Sequence, residues 1–388
     1  MKDMKKSILS KIDKPLLFMI ILYSIIGVFT VLSASSVSAV MEYDESPYYF
    51  FIRQIIFFVF SYFVGFVFIL TKHTKKYKKY INFACILVLG LLIFVLVKGR
   101  IVNSARSWIA IGPFAFQPSE LAKTIIILYF GVFYGELQDK MNSKYSFLIP
   151  VIYSVVVFFL IFRQPDLGTA LITAAIAFLT FFAIPFKGNQ MIKYIKILAG
   201  GVAVAGVVLI LSGASFLNEM QSSRLTYKAP CTRYTENTGY QVCNGFIAFN
   251  SGGLFGKGVG NSTQKYLYLP DAHTDMIFPI MVEELGLIVG ILFIAGYVFI
   301  LYRILKIAKE ASNLRNSIIA YGAGIYLLVH ILVNFLGVLA IIPMTGTPVP
   351  FLSYGGSFTI NLILCMFIVL RISGESKIDK TKEVISRI

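Results

Sequence analysis

Three carboxylates mark the start of a long apolar segment, where charged side chains are costly. Asp275 directly precedes the segment 276–302, and Glu283 and Glu284 lie two turns inside it. Ionisable groups at membrane depth are expensive and usually functional. Eight residues of helix place Asp275 about 12 Å from Glu283, too far for the two to share a proton. The spacing therefore predicts one acid at the mouth of a site, with the two glutamates supporting it from below.

Simpler interpretations of the same carboxylates stay open. Asp275 has the residue type and the position of an N-cap for the helix that follows it. Glu283 and Glu284 could instead each pair with a basic residue of a neighbouring helix, because buried charges are tolerated mainly when they are paired.

Basic side chains accompany Asp275 on the same predicted side of the membrane. They are Lys98, Arg100, Arg106, Lys123, Arg163, Lys257 and Lys265. Such a group favours an anionic ligand, for instance a phosphate or pyrophosphate. One base that deprotonates a hydroxyl, with cations that stabilise a departing pyrophosphate, matches glycosyl transfer from a lipid-linked pyrophosphate donor. A hydrolase would need two facing carboxylates at one level, and the sequence shows no such pair.

The segment 99–123 contains the only tryptophan of the chain, Trp108, and the start of a helix. A proline follows Gln117 and fits the first turn of that helix, with Gln117 beside the cap. Glu120 and Lys123 are then three residues apart on one helical face, in the outer part of the membrane region. The plain alternative is an interfacial tryptophan anchor and an ion pair that neutralises two charges.

Three further outer segments differ in what they indicate. The tight turn 163–169 is weak evidence for a site, whereas 343–357 has three prolines and three glycines and is typical of a pocket wall. The loop 217–275 is longer than a bundle needs, so it is functional or disordered. Its Cys231 and Cys243 are either disulfide-bonded or free thiols, and the four cysteines of the chain form no metal cluster.

A membrane-spanning scaffold must position these residues. Of the 388 residues, 57% are hydrophobic and 14% are charged, whereas soluble domains are about 45–50% apolar and 25% charged. Backbone polar groups inside lipid must pair internally, and about 20 apolar residues cross the hydrocarbon layer as a helix. The sequence therefore predicts an all-α polytopic membrane protein, a single domain over 1–388 with about ten transmembrane helices. The predicted spans are 15–36, 54–71, 80–97, 119–135, 146–162, 168–185, 197–216, 276–302, 317–341 and 357–371.

The distribution of basic residues predicts the orientation. The net charge is +16, and most of the 35 lysines and arginines lie in short segments beside alternate span ends. These segments are 1–14, 72–79, 137–145, 186–196, 303–316 and 371–388. The positive-inside rule places them, and both termini, in the cytoplasm. Asp275 and the loop 217–275 between spans seven and eight then face outward, and the charge requires no nucleic-acid partner.

Nine short motifs have the order and spacing of a known family. They are RSWI (106–109), QPSELAK (117–123), QPDLGT (164–169), GKG (256–258), QK (264–265), LP (269–270), HTDMIF (273–278), EELG (283–286) and PFLSYGGS (350–357). On these motifs essentially the whole chain resembles the SEDS family, which comprises FtsW, RodA and the sporulation homologues.

The resemblance implies a peptidoglycan glycosyltransferase that polymerises lipid II at the outer face of the bacterial cytoplasmic membrane, by inverting transfer with release of undecaprenyl pyrophosphate. Asp275 matches the essential aspartate of the family and would activate the 4-hydroxyl of the acceptor sugar. Arg106 and Lys123 would face the pyrophosphate. Whether a divalent cation, Mg²⁺ or Mn²⁺, assists there stays open, because the sequence shows no compelling set of ligands for one. The other residues matched to substrate binding are Trp108, Gln117, Ser119, Glu120, Gln164, Asp166, Lys257, Lys265, His273, Thr274, Glu283, Glu284, Ser353, Gly355 and Gly356.

The resemblance also implies partners and a subtype. The expected partners are a cognate class B penicillin-binding protein and other membrane proteins of the division or elongation complex. The run 260–273 looks more like the division type, although Leu267 and Ala115 depart from that pattern. Two alternatives remain: a transporter that flips lipid II, and a non-catalytic scaffold that recruits a penicillin-binding protein. Polar motifs that cluster at outer span ends favour the enzyme over the transporter.

Overall fold

The computed structural model describes residues 8–71, 73–102, 105–112, 114–137, 146–185 and 227–386. Within these ranges the chain is mostly helical. The helices are α1 (Lys14–Met41), α2 (Tyr49–Thr71), α3 (Tyr77–Lys98), α4 (Pro118–Val132), α5 (Ile149–Phe162), α6 (Leu167–Phe182), α7 (Asn237–Gly252), α8 (Ile277–Leu285), α9 (Leu287–Lys309), α10 (Leu314–Val338) and α11 (Gly356–Ser386).

Six of the described helices, α1, α2, α3, α9, α10 and α11, are long and apolar enough to cross a membrane, and α5 and α6 are shorter apolar helices. Large apolar side chains lie on their outer faces: Phe18, Phe63 and Phe83 are 64%, 69% and 69% exposed. Such a surface is stable in lipid and not in water. The chain is therefore a multi-pass membrane protein. The predicted span 197–216 lies outside the described residues, so the count of ten spans stays a prediction.

The predicted span 276–302 is wrong as one continuous helix, because it breaks at Gly286 between α8 and α9. Gly286 has φ +89°, and a Cβ there would lie 2.4 Å from the carbonyl oxygen of Leu254. The backbone after α7 packs against this break, and Leu287 N donates to Gly253 O at 2.9 Å. Only glycine adopts this conformation without strain and admits so close a backbone. An unbroken apolar run gives no sign of such a contact.

The described part of the loop 217–275, residues 227–275, contains regular structure. It contains the 16-residue helix α7 and a disulfide between Cys231 and Cys243. Helix α7 packs closely on α8, since a Cβ on Gly252 would lie 2.4 Å from Val282 O. The segment therefore holds α8 and the turn before it from outside the bundle.

Strands between α3 and α4 correct the all-α expectation. They are β1 (Arg100–Val102), β2 (Ala105–Ile111) and β3 (Phe114–Phe116). These strands form a small antiparallel sheet in the order β1-β2-β3, with Arg100 opposite Trp108 and Ile109 opposite Phe116. The sheet ends directly before Gln117, the N-cap of α4, so it sets the place where α4 begins.

Helices α10 and α11 form the centre of the bundle. In their most apolar windows 67% and 83% of residues are buried, against 28–33% for α1, α2, α3 and α9. Gly131 and Gly322 let α4 and α10 pack tightly, because a Cβ on either would lie within 2.6 Å of an isoleucine side chain of the partner helix. The last turns of α10 reach the end of the bundle that carries Asp275, which we call the Asp275 end.

Candidate active site

Asp275 lies in the turn between α7 and α8 and is 6% exposed. The turn is shaped by Asp271, which has φ +52° and whose carbonyl oxygen accepts from Thr274 N at 3.0 Å. Thr274 Oγ1 donates to Asp275 Oδ1 at 3.3 Å. Met276 is the N-cap of α8 and makes no side-chain capping bond. Met276 rather than Asp275 therefore holds the N-cap position, and the N-cap interpretation of Asp275 is wrong.

Asn334, near the C-terminal end of α10, fixes the backbone of Asp275. Its Nδ2 donates to Asp275 O at 2.8 Å and to Thr347 O at 2.7 Å. The segment 343–355 is thereby joined to the Asp275 turn, and a Cβ on Gly346 would lie 3.8 Å from Asp275 Oδ2. The proline- and glycine-rich segment thus forms a wall beside the carboxylate. The sequence reasoning missed Asn334, although an amide inside an apolar span is a visible signal.

The motif 353–356 supports the same turn through its backbone. Ser353 Oγ donates to Thr274 O, and Tyr354 N donates to His273 O at 2.9 Å. Gly355 N donates to the side chain of Gln54 on α2 at 3.3 Å. Gly356 faces an aromatic ring of α2, where a Cβ would lie 2.9 Å from Phe57. In this structure Ser353, Gly355 and Gly356 hold the wall of the pocket in place.

His273 is buried in an aromatic cluster beside Asp275. Its ring centroid lies 4.4 Å from that of Phe50 and 5.9 Å from that of Tyr354. Burial lowers the pKa of His273 to about 4, because the imidazolium would lose its hydration. At neutral pH His273 is therefore uncharged. Burial also raises the pKa of the Asp271 carboxyl in the same turn.

Glu120 and Lys123 form the predicted ion pair on α4, and both are fully enclosed. Lys123 is 1% exposed, and its Nζ lies 2.8 Å from Glu120 Oε1 and 3.1 Å from His330 Nε2 on α10. His330 lies one helical turn before Asn334, so this cluster is one turn deeper than the contact with Asp275. The role of Lys123 at a pyrophosphate stays a prediction, and its ammonium already has two partners.

Gln117, Gln164 and Asp166 join α3, α4 and α6 at the Asp275 end of the bundle. Asp166 caps α6 by accepting from Thr169 N at 3.0 Å, and Gln117 Nε2 donates to its other oxygen at 3.2 Å. Gln164 is 0% exposed and donates to the backbone of α3 at 3.2 Å. Ser119 is buried at 1% in the first turn of α4. These contacts position the helix ends, and a role in substrate binding stays a prediction for each.

Glu283 organises the loop that precedes Asp275. Its carboxylate is 0% exposed and accepts from Lys257 Nζ at 2.8 Å, Ser251 Oγ at 2.8 Å, Ser262 Oγ, and the backbone N–H groups of Thr263 and Gln264, both at 3.2 Å. The pairing of Glu283 with a neighbouring helix, as first considered, is thus replaced by pairing with a loop lysine.

Glu284 makes a second pair of the same kind. Its Oε1 accepts from Lys265 Nζ at 3.2 Å and from Ser33 Oγ of α1 at 2.6 Å. Lys265 is 5% exposed. Both glutamates therefore neutralise loop lysines, and their contact with a substrate stays a prediction.

Exposed cations lie at the ends of α3 and α5. Arg106 is exposed, its Nη1 donates to Leu96 O at 3.3 Å, and its backbone N donates to Gln164 O at 3.1 Å. Trp108 is half-buried two residues further along β2. Lys98, Arg100 and Arg163 are also exposed. These side chains can meet an anionic ligand without first giving up a buried partner.

Arg53 is a further cation at this end that the sequence reasoning missed. Its guanidinium lies over the ring of Tyr49 at 4.2 Å and near that of Phe114 at 5.7 Å. Stacking on aromatic faces suits arginine more than lysine. A single arginine near the start of an apolar span was the available signal.

The part of the chain that the structure describes contains no group of three or more His, Cys, Asp or Glu side chains placed to hold a metal ion. Asp271 and Asp275 are the carboxylates of the turn itself, and Glu120, Glu283 and Glu284 are each paired with a lysine. Hard divalent cations need several oxygen ligands. The residues present therefore do not form a protein cage for such a cation.

The fold and the site define a multi-pass helical membrane protein with a buried acid, Asp275, and several basic side chains at one end of the bundle. The family profile described as "Cell cycle protein", covering FtsW, RodA and SpoVE, matches residues 14–378. The chain belongs to this FtsW/RodA/SpoVE family, which confirms the predicted resemblance.

Individual relatives agree with the family. "Probable peptidoglycan glycosyltransferase FtsW" of Bacillus subtilis (strain 168) is 32% identical over 98% of this chain and 95% of its own length. The structure titled "Structural coordination of polymerization and crosslinking by a peptidoglycan synthase complex" contains a chain with a TM-score of 0.71 and 22% identity, over 93% of this chain and 97% of that one. The crystal structure of the rod shape determining protein RodA of Thermus thermophilus matches with a TM-score of 0.65 and 24% identity, over 93% and 96%. The two structures support the fold.

Proposed function

We propose that this protein is a peptidoglycan glycosyltransferase that polymerises lipid II. The observation that carries the proposal is the placement of Asp275. Of the two acids in the turn, Asp275 is the one whose backbone is held by α10 and whose carboxylate adjoins the irregular wall 343–355. The names of the full-length relatives, "Probable peptidoglycan glycosyltransferase FtsW", support the same activity.

The proposed reaction needs one base. Asp275 takes the proton from the 4-hydroxyl of the acceptor sugar while the hydroxyl oxygen forms a bond to the anomeric carbon of the donor. The bond from that carbon to the pyrophosphate oxygen breaks, and undecaprenyl pyrophosphate leaves with the bonding electron pair. Attack opposite the leaving group inverts the anomeric carbon.

The leaving group needs positive charge that is accessible. Arg106, with Lys98, Arg100 and Arg163 nearby on the ends of α3 and α5, supplies exposed cations. A guanidinium matches the geometry of phosphate oxygens through paired hydrogen bonds. We assign the pyrophosphate to this edge, and we assign Lys123 a role at short range within the site, because its pair with Glu120 cancels most of its field at a distance.

The outward orientation of the Asp275 end is part of the proposal. Phe50, at the first turn of α2, packs on His273, whereas the last residue of α2 leads directly into the lysine-rich segment 72–79. The two ends of the bundle therefore differ strongly in charge, and the positive-inside rule assigns the lysine-rich end to the cytoplasm. The active site then faces the outer leaflet of the bacterial cytoplasmic membrane.

A partner that crosslinks the product is proposed on the same grounds. One structural neighbour belongs to a peptidoglycan synthase complex that coordinates polymerisation and crosslinking. We propose that a class B penicillin-binding protein is the cognate partner, together with other membrane proteins of the division or elongation complex. A divalent cation, if one assists, would be held mainly by the pyrophosphate itself, and no step above depends on it.

The test is polymerisation by the purified full-length protein with its partner, supplied with lipid II in detergent. Asp275→Asn keeps the shape of the side chain but removes the base, so glycan chains should be absent. Asp271→Asn, four residues earlier, is the matched control, because asparagine tolerates its positive φ. Equal polymer from wild type and Asp275→Asn would refute the assignment. Repeating the wild-type reaction with EDTA shows whether a divalent cation is needed.

The two alternatives predict different results in the same system. A lipid II transporter would move lipid II across vesicles without forming polymer, and a scaffold would bind the penicillin-binding protein and leave lipid II unchanged. Polymer that depends on Asp275 excludes both as the primary function.

A further inference from the structure

Two polar side chains of α10 contact the site from below, and no motif of the sequence singled them out. His330 is 1% exposed and Asn334 is 2% exposed. They are four residues apart, so they lie on one face of α10, one turn above the other. Each contacts a different group on which the proposed reaction depends.

The contact between His330 and Lys123 determines the tautomer of the imidazole. Lys123 Nζ lies 3.1 Å from His330 Nε2 and 2.8 Å from Glu120 Oε1. An ammonium group has three hydrogens to donate and no lone pair, so His330 Nε2 must accept. The imidazole is therefore neutral, with its hydrogen on Nδ1. A neutral acceptor adds no charge to the pair and satisfies a hydrogen of the buried cation.

The orientation of the Asn334 amide is determined in the same way. Its Nδ2 lies within 2.8 Å of Asp275 O and 2.7 Å of Thr347 O, and carbonyl oxygens only accept. Both amide hydrogens are used, one on the turn of the base and one on the wall 343–355. Asn334 therefore sets the place of Asp275 relative to α10.

We infer that α10 is the positioning element of the site: Asn334 fixes the backbone of Asp275, and His330 fixes the ammonium of Lys123 one turn deeper. Both residues act through another group and are positioning residues, not catalytic ones. The inference rests on the proposed function for its kinetic consequence. Its physical basis is that α10 is among the most buried of the spanning helices, so one rigid element relates the base to the buried cation.

Three substitutions of His330 separate hydrogen bonding from packing. His330→Phe keeps a ring between Tyr326 and Phe358, whose centroids lie 4.7 Å and 4.9 Å from that of His330, but it cannot accept. His330→Gln places an amide oxygen near the position of Nε2, whereas the shorter side chain of His330→Asn reaches only the position of Nδ1. Gln should keep the contact with Lys123, and Phe and Asn should lose it.

In the lipid II assay, kcat should fall at least tenfold in His330→Phe and His330→Asn and stay within threefold of wild type in His330→Gln. The KM for lipid II should change less than threefold in all of them, because a positioning residue does not bind the substrate. Wild-type kcat in His330→Phe would show that only packing matters and would overturn the inference. Loss of activity in a folded His330→Gln protein would overturn it as well.

A second readout does not depend on activity. The chain has three histidines, so a protein labelled with ¹⁵N-histidine gives few imidazole signals, and the signal lost in His330→Gln identifies His330. We expect a protonated Nδ1 and an unprotonated Nε2 at neutral pH. An Nε2–H tautomer or an imidazolium would refute the contact with Lys123. If wild type makes no polymer, the proposed function fails, whereas the tautomer still decides the contact.

Discussion

Replacing Glu283 by glutamine should loosen the loop 251–264 while leaving the helical bundle intact. The carboxylate accepts hydrogen bonds from five groups, of which two are backbone N–H groups of Thr263 and Gln264. Glutamine keeps one acceptor oxygen and turns the other into a donor, so at least one buried N–H loses its partner. The loop then loses the group around which it is arranged.

The magnitude follows from which partners can be rehydrated. A buried donor left without an acceptor costs about 1–3 kcal/mol, and hydrogen bonds to a charge are stronger than neutral ones by about 1 kcal/mol. Lys257 is 33% exposed, so it can turn to solvent and adds little to the cost. The sum is about 3 kcal/mol, which corresponds to roughly 100-fold more frequent local opening.

Hydrogen–deuterium exchange in detergent measures this opening directly. The amides of Lys257, Gly258, Thr263 and Gln264 should exchange about 100-fold faster in Glu283→Gln, and those of α10 should not change. Glu236→Gln is the control, because the Arg233–Glu236 pair has a glutamate that is 50% exposed and should contribute little. Unchanged exchange at Thr263 and Gln264 would refute the view that Glu283 organises this loop.

Two further predictions concern the turn and the helix before it. Replacing Cys231 and Cys243 by serine should lower the local stability of α7 by about 3 kcal/mol, because a cross-link across twelve residues restricts the unfolded chain. Protease cleavage within 227–252 should then become faster, and cleavage at the wild-type rate would contradict the prediction. Stability should fall as the pH drops from 6.5 to 4, since burial lowers the pKa of His273 to about 4 when folded while the unfolded imidazole still binds a proton near 6.5. The free energy of unfolding changes by at most about 1.4 kcal/mol per pH unit because of this group, and its contribution is fully present above pH 6.5. His273→Phe should therefore flatten the dependence of the unfolding free energy on pH. An equal slope in that variant would assign the effect to other groups.

Local signals in the sequence were sufficient for the spanning helices and for the pair on α4. Apolar runs predicted α1, α2, α3 and α10, because a long lipid-facing helix leaves an uninterrupted pattern. The proline after Gln117 marked the start of α4, and the spacing of Glu120 and Lys123 predicted their ion pair. Each of these inferences uses residues within one or two helical turns.

Contacts between distant segments could not be predicted in the same way. The break at Gly286 depends on the backbone of 253–256, and the partners of Glu283 and Glu284 are loop lysines 26 and 19 residues earlier. Neither leaves a periodic trace in the apolar run. His330 and Asn334 did leave a signal, because they are polar residues within an apolar span. The predicted site residues nevertheless came from the loop motifs, which contain several charges, and did not include these two.

Pairing with a carboxylate divides the cations of the Asp275 end into two groups with different electrostatic consequences. Lys123, Lys257 and Lys265 are each within 3.2 Å of a carboxylate oxygen, so their fields are largely cancelled at a distance.

The exposed cations, of which Arg106 is the best placed, have no such compensation in salt bridges among the described residues. The backbone N–H of Arg106 donates to Gln164 O, and the turn that contains Gln164 continues to Gly168. Gly168 packs against the wall beside Asp275, since a Cβ on Gly168 would lie 3.0 Å from Thr345 O. The accessible positive edge and the proposed base are therefore linked by short backbone contacts. An anionic leaving group at that edge would be held in a fixed relation to Asp275.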